Sequence, residues 1–150
     1  MIEIEVALKP QFLDAQAQGA RHDLNLLGTV KIAEAQSAAV YKISGEVDAA
    51  FAKRAATALL ADPVTENWRA GAASKPPRGV KRVEIWFKDS VTDVTGESVA
   101  DAIHSITGTE CRVRCAQTYL LRTNAAAAKL EQAVFKTLAN ALIHKVVIMG

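Results

Sequence analysis

Aromatic side chains are scarce. The 150 residues include two Trp, two Tyr and four Phe, so the core has to be built from Val, Ile, Leu and the abundant Ala. The scarcity also argues against an RNA-binding sheet, which stacks bases on exposed aromatics and carries a Lys/Arg-Gly-Phe/Tyr motif; neither predicted central strand has them. Cysteine is limited to Cys111 and Cys115. On a predicted strand, residues four apart are separated by ~13 Å at ~3.3 Å per residue, too far for a mutual disulfide. Two reduced, half-buried thiols are therefore expected. No stretch approaches the ~18 apolar residues of a membrane helix. Met1–Lys9 alternates Ile2, Ile4, Val6 and Leu8 with Glu3 and Glu5, a strand pattern and not a charged start followed by an apolar run. The expectation is a soluble, cytoplasmic protein.

Recognised catalytic motifs are missing as well. The chain has no Gly-x-Ser-x-Gly elbow and no Gly-x-x-x-x-Gly-Lys-Ser/Thr phosphate loop. His22, His104 and His144 are far apart; Asp101 and His104, three residues apart on one predicted helix, come nearest to ligand spacing and read as a surface ion pair. Asp89 and Asp93 read as shaping a strand-to-helix turn, with a carboxylate pair as the weaker alternative. No catalytic residue, cofactor or metal is expected.

Charge of one sign is not in excess, since the net value is +2, too small to argue for nucleic acid. Residues 1–70 carry 7 basic and 9 acidic groups, and residues 82–150 carry 8 and 7. The surplus lies between them, in Lys75, Arg78 and Lys81, within a stretch rich in Gly, Ala and Pro that has no apolar period. Such a stretch reads as a solvated, stiffened linker.

What is present is a repeat. A strand over Ile2–Leu8 precedes a helix capped by Asp14 and closed by Gly28, with Leu13, Ala17, Ala20, Leu24 and Leu27 on one face. Strands are predicted from Thr29 to Gln36 and from Ala39 to Glu46. Asp48 caps a second helix to Ala61, with Phe51, Ala55 and Leu59 inward, and Pro63 forbids its continuation. A short strand at Val64–Trp68 follows. The order then recurs: a strand over Arg82–Lys88, and a helix over Thr95–Thr107 with Val99, Ile103 and Ile106 inward, closed by Gly108. Strands at Cys111–Cys115 and Gln117–Arg122 come next, then a helix from the cap Asn124 to about Ala141 and a strand at Val146–Met149. Leu8 and Phe87, Gly28 and Gly108, and Tyr41 and Tyr119 are offset by 78 to 80 residues. A half of ~70 residues is marginally stable alone. Two halves in one chain can dock about a pseudo-twofold axis, and fusion raises their effective concentration. Tyr41 and Tyr119 suggest packing first and partner contact second. Arg112 and Arg114 share a strand face that is either solvated or open to an acidic partner.

Val6-Ala-Leu-Lys-Pro-Gln-Phe-Leu-Asp14, the helix ending Leu27-Gly28, and Leu59-Leu60-Ala61-Asp62-Pro63-Val64 resemble PurS, the small subunit of phosphoribosylformylglycinamidine synthase. Gln11 stands where that family usually has Gly, Ala15 where it has Pro, and Asp62 where it has Asn. Val83–Asp93 and Val113–Leu121 are similar to PurS more distantly, with Asp89 in place of Pro. The resemblance implies an α+β fold of two tandem βαββα units, with antiparallel sheets and helices on one face, arranged like a covalent PurS dimer. Residues 1–70 form one unit, 71–81 a linker and 82–150 the other. It also implies a non-catalytic assembly subunit in purine biosynthesis, bridging a PurL-type synthetase that does the ATP chemistry and a PurQ-type glutaminase that supplies ammonia. Lys9, Pro10, Leu13, Asp14, Asp62, Pro63, Lys88 and Asp93, in the loops that carry the motifs, are the expected partner contacts. A homo-oligomer is compatible with this reading, and so is a detached N-terminal part of a fused synthase. The alternative is a regulatory module binding an amino acid at a pseudo-twofold interface.

Overall fold

Alternation in the first residues produces β1 (Ile2–Leu8), with Ile4 and Val6 buried. The computed structural model describes all residues, Met1–Gly150. After β1 come α1 (Ala15–Leu26), β2 (Glu34–Gly45), α2 (Ala49–Ala55) running on into a π-helical turn (Ala56–Leu60), and β3 (Glu66–Ala70). The second series is β4 (Val80–Phe87), α3 (Val94–Thr107), β5 (Cys111–Arg122), α4 (Ala127–Thr137) and β6 (His144–Met149). The architecture is α+β, as expected.

The caps fall where the sequence places them, with one exception. Asp14, Asp48 and Asp93 each accept a hydrogen bond from the amide three residues on, satisfying a donor that the first helical turn leaves free. Gly28 and Gly108 sit at φ 73° and 72° after α1 and α3, the left-handed geometry that glycine adopts without a Cβ penalty. The exception is Asn124. The Thr123 hydroxyl donates to the Lys31 carbonyl and accepts from the Ala125 amide. That turn delays the helix, and Ala126 takes the cap position without a side-chain bond.

The strands expected over Thr29–Gln36 and Ala39–Glu46 are one strand, β2, and those over Cys111–Cys115 and Gln117–Arg122 are one strand, β5. No Gly or Pro interrupts either, so nothing ends the ladder. Each nonetheless has two working halves. The first compact unit comprises Met1–Phe12, Ala38–Ala73 and Thr92–Ala116; the second comprises Leu13–Ser37, Ser74–Val91 and Gln117–Gly150. β2 therefore divides between Ser37 and Ala38, and β5 between Ala116 and Gln117, close to the predicted strand ends. Counted by halves, each repeat retains the βαββα order.

Within the first unit the strand order is β3-β1-β2-β5. β1 pairs antiparallel with β2, Ile2 opposite Ile43 and Val6 opposite Ala39, and with β3, Ile4 opposite Ala70 and Leu8 opposite Glu66. Its core joins Ile4, Val6, Ile43, Phe51, Ala55 and Val113 to Ile103 of α3. Within the second unit the order is β2-β5-β4-β6, with Arg82 opposite Met149 and Phe87 opposite His144. Its core joins Leu24 of α1 to Val83, Ile85, Tyr119, Leu121, Leu130 and Val134, with Ala17, Ala20 and Ala133 also buried. Each unit thus takes one helix from the other repeat: α3 lies in the first and α1 in the second. Tyr41 packs against the first core and Tyr119 is buried in the second, so both serve packing.

Three apolar positions expected inside are exposed. Leu13 precedes the Asp14 cap, lies outside α1, and is 79% exposed. Leu59 lies in the π-helical turn, where Ala61 bonds back to Ala56. An i→i+5 turn breaks the 3.6-residue phase inherited from Phe51 and Ala55, and Leu59 rotates outward while Ala56 is fully buried. Ile106 is in the last turn of α3, past Ile103, and is 45% exposed.

Candidate functional site

The motif-bearing loops share three of their bracing bonds between the two repeats. In the first unit, the Lys9 amide donates to the Thr65 carbonyl at 2.8 Å, and Lys9 Nζ reaches the Pro63 carbonyl at 2.9 Å. Asp62 Oδ1 accepts from the amides of Val64 (2.8 Å) and Thr65 (3.3 Å), an Asx turn. Glu66 Oε1 accepts from the Asp62 amide at 2.8 Å. Pro10, Phe12, Pro63 and Val64 remain exposed. Lys9 and Pro63 thus meet, and they fix an exposed apolar surface at one end of β1 and β3.

In the second unit, the Lys88 amide donates to the Ile143 carbonyl at 2.8 Å, and Asn140 Oδ1 accepts from the Leu142 amide at 2.9 Å. His144 Nδ1 accepts from the Asn140 amide at 2.9 Å. The bonds match those of the first unit at offsets of 78 and 79, with Asn140 for Asp62 and His144 for Glu66. Leu142 is 81% exposed. Asp89 is exposed and pairs with Lys145 at 3.5 Å.

Asp14 and Asp93 are engaged within the fold. Asp14 caps α1 and also accepts from the Ser37 amide at 2.6 Å and from the Ser37 hydroxyl. Asp93 caps α3 and accepts from the Cys115 amide at 2.7 Å. Each ties a helix start to the midpoint of a long strand, where the compact units divide. These carboxylates position the loops, while Pro10, Leu13 and Pro63 are exposed and Lys9 and Lys88 partly so. The reach of Asp14 and Asp93 into the strands has no local sequence signal; the Glu66–His144 equivalence was available from the 78-residue offset.

Nucleophile chemistry is unfavourable. Burial, reinforced by the Asp93 charge, pushes the Cys115 thiol up to about 12, so it is protonated near neutrality. Burial also raises Cys111. Tyr41 is raised by burial, then by the nearby Cys115 and Glu66 charges. Both cysteines are free and half-buried, as expected. No group of three or more His, Cys, Asp or Glu side chains is placed to hold a metal ion.

The family model PurS, described as phosphoribosylformylglycinamidine (FGAM) synthase, matches residues 1–73 and, separately, 80–149. The chain belongs to the PurS family. Two matches in tandem establish the duplication read from the 78-residue spacing, and leave only 74–79 and Gly150 outside. Membership places the chain in FGAM synthase and in purine biosynthesis. No curated protein matches it. In this PurS chain the Lys9 and Asp62–Val64 loops of one repeat, and the Lys88 and Asn140–Leu142 loops of the other, share three bracing hydrogen bonds. No helix is long and apolar enough to cross a membrane.

Proposed function

We propose that the chain is the non-catalytic assembly subunit of FGAM synthase, acting in the cytoplasm. It bridges a PurL-type, ATP-dependent synthetase and a PurQ-type glutaminase, so that ammonia passes within a complex and is lost less to water. The observation that carries this reading is the paired loop brace. One chain presents two loops closed by equivalent backbone bonds, Lys9 to Thr65 and Lys88 to Ile143, each with an exposed apolar residue at its tip, Val64 or Leu142. Rigid, hydrogen-bonded loops carrying exposed apolar groups suit docking, because little order is lost on binding. Lys9, Pro10, Leu13, Asp14, Asp62, Pro63, Lys88 and Asp93 make or position the contacts. A second copy of the chain is compatible with the same surfaces.

Co-elution of the purified chain with the PurL- and PurQ-type proteins of the same organism tests the proposal. A ternary peak that requires this chain is expected. Failure of the chain to join either protein, at micromolar concentrations with glutamine and nucleotide present, would refute it.

A further inference from the structure

The second unit contains a cleft of about 580 Å³, bounded by α1, the start of β2, the end of β5 and the segment at Pro77 and Val80. Its volume lies within the range of small-molecule sites, ~300–1,000 Å³. Two guanidinium groups line it, and both are anchored through Nε. Arg21 Nε donates to the carbonyls of Ile32 (3.1 Å) and Ala33 (3.0 Å). Arg122 Nε pairs with Glu34 Oε2 at 3.1 Å. The paired terminal nitrogens of both, the fork that matches phosphate oxygens, have no protein partner. Glu34 is the single carboxylate of the lining, and the amides of Gln18 and Gln36 complete its polar part.

The two repeats do not share these arginines. At the offset of 79 that relates Asp14 to Asp93, Arg21 corresponds to Ala100. At the offset of 78 that relates Tyr41 to Tyr119, Arg122 corresponds to Ser44. The same structural positions are served by small residues in the other repeat, so the two guanidiniums are particular to this cleft. The surroundings are positive too. A neighbouring cleft of about 830 Å³ shares Ala33 and Arg122 with the first and adds Lys31 and Lys129. Pro77 belongs to the segment that carries Lys75, Arg78 and Lys81 with no acidic residue. With two guanidiniums against one carboxylate the lining is net positive, and a net positive cleft concentrates anions.

We propose that this cleft binds a small phosphate-bearing anion, of the class of inorganic phosphate and sugar phosphates. Two guanidinium groups with free terminal nitrogens in one cleft suit a dianion better than a single carboxylate ligand, which one fork would satisfy. The site involves neither of the braced loops and stands apart from the assembly role.

The experiment is a titration of the full chain, at ionic strength held constant with chloride, with inorganic phosphate, with ribose 5-phosphate and with glutamate as carboxylate control. Amide shifts over residues 32–36 and the Arg21 and Arg122 Nε signals are followed by NMR. Saturable shifts are expected with both phosphates and not with glutamate. Arg21→Ala and Arg122→Ser, which install the residues of the other repeat, should each weaken binding by about tenfold or more, the value of one charge-assisted pair. Arg21→Lys keeps the charge but loses the fork and should weaken it as well, which covers the case in which Arg21→Ala does not fold. Equal shifts with glutamate, or phosphate binding unchanged in Arg122→Ser and Arg21→Lys, would overturn the proposal.

Discussion

Two helical glycines should respond to alanine with opposite sign, and the difference follows from what surrounds them. Gly96 lies in the first turn of α3. A Cβ there would stand 2.2 Å from the Val113 carbonyl oxygen and 2.9 Å from Asp93 Oδ2. Gly19 lies in α1, is exposed, and has nothing within 4 Å of the equivalent point. Ala is preferred over Gly in a helix interior by ~0.8–1.0 kcal/mol, which favours both substitutions. At Gly96 the gain is opposed by overpacking, ~1–3 kcal/mol, because the obstacle is backbone and cannot rotate away. Displacement of Asp93 from its capping bond removes ~1 kcal/mol more. The balance for Gly96→Ala is a loss of about 2 kcal/mol, or roughly 4–8 °C in Tm for a chain of this size. Gly19→Ala should gain up to ~1 kcal/mol. Urea unfolding of both variants against the parent reads the effect as midpoint shifts in opposite directions. A Gly96→Ala variant as stable as the parent would refute the close approach of α3 to β5, and with it the reason that the second repeat has Gly96 where the first has Ala17.

The tie between helix and strand predicts that Asp14→Ala loses about 2 kcal/mol and Asp93→Ala about 3, the larger value because Asp93 is buried; amide exchange should accelerate at Ser37 in the first and at Cys115 in the second. The thiols should separate chemically: at pH 8, iodoacetamide should modify Cys111 well before Cys115, and equal rates would contradict the burial of Cys115. A thiol raised to about 12 keeps its proton after the unfolded chain's thiol, ordinarily at 9.0, has lost it. Its contribution to stability is therefore full below pH 9 and declines as pH rises toward 12, and Cys115→Ala should flatten that decline in a pH series of urea midpoints. Val64→Asp and Leu142→Asp should leave unfolding within about 0.5 kcal/mol of the parent while weakening assembly with the synthetase or glutaminase at least tenfold in a binding titration.

Local chemistry was legible where the cause is local. Asp14, Asp48 and Asp93 announce helix starts because a short acceptor at that position satisfies free amides, and Gly28 and Gly108 announce helix ends because the next turn needs a positive φ. The buried faces of α1 and α4 follow from periodicity. Leu59 departs from its spacing because a π-helical turn has no signature in hydrophobic periodicity, and Asn124 does not cap α4 because the competing Thr123 hydroxyl is held by Lys31, 92 residues away in sequence. The placement of α1 in the second unit and α3 in the first could not be read at all. An apolar helix face specifies that it is covered, not by which strand, and both repeats offer nearly the same strand. The loops are marked by their motifs, and the 78-residue offset pairs Glu66 with His144, but that both brace a loop is a matter of geometry. The arginine cleft was missed because Arg21 and Arg122, unremarkable in sequence, are 101 residues apart and are brought together only by the strand order.

The central claim, that this chain couples a glutaminase to a synthetase, is tested most directly by the nitrogen source. Amidine formation by the PurL- and PurQ-type proteins should be measured with glutamine and with ammonium chloride, each with and without this chain. The chain is expected to be required with glutamine and nearly without effect with ammonia, since its role is to bring the source of ammonia to the site of its use. Glutamine-dependent activity that is the same with and without the chain would contradict it.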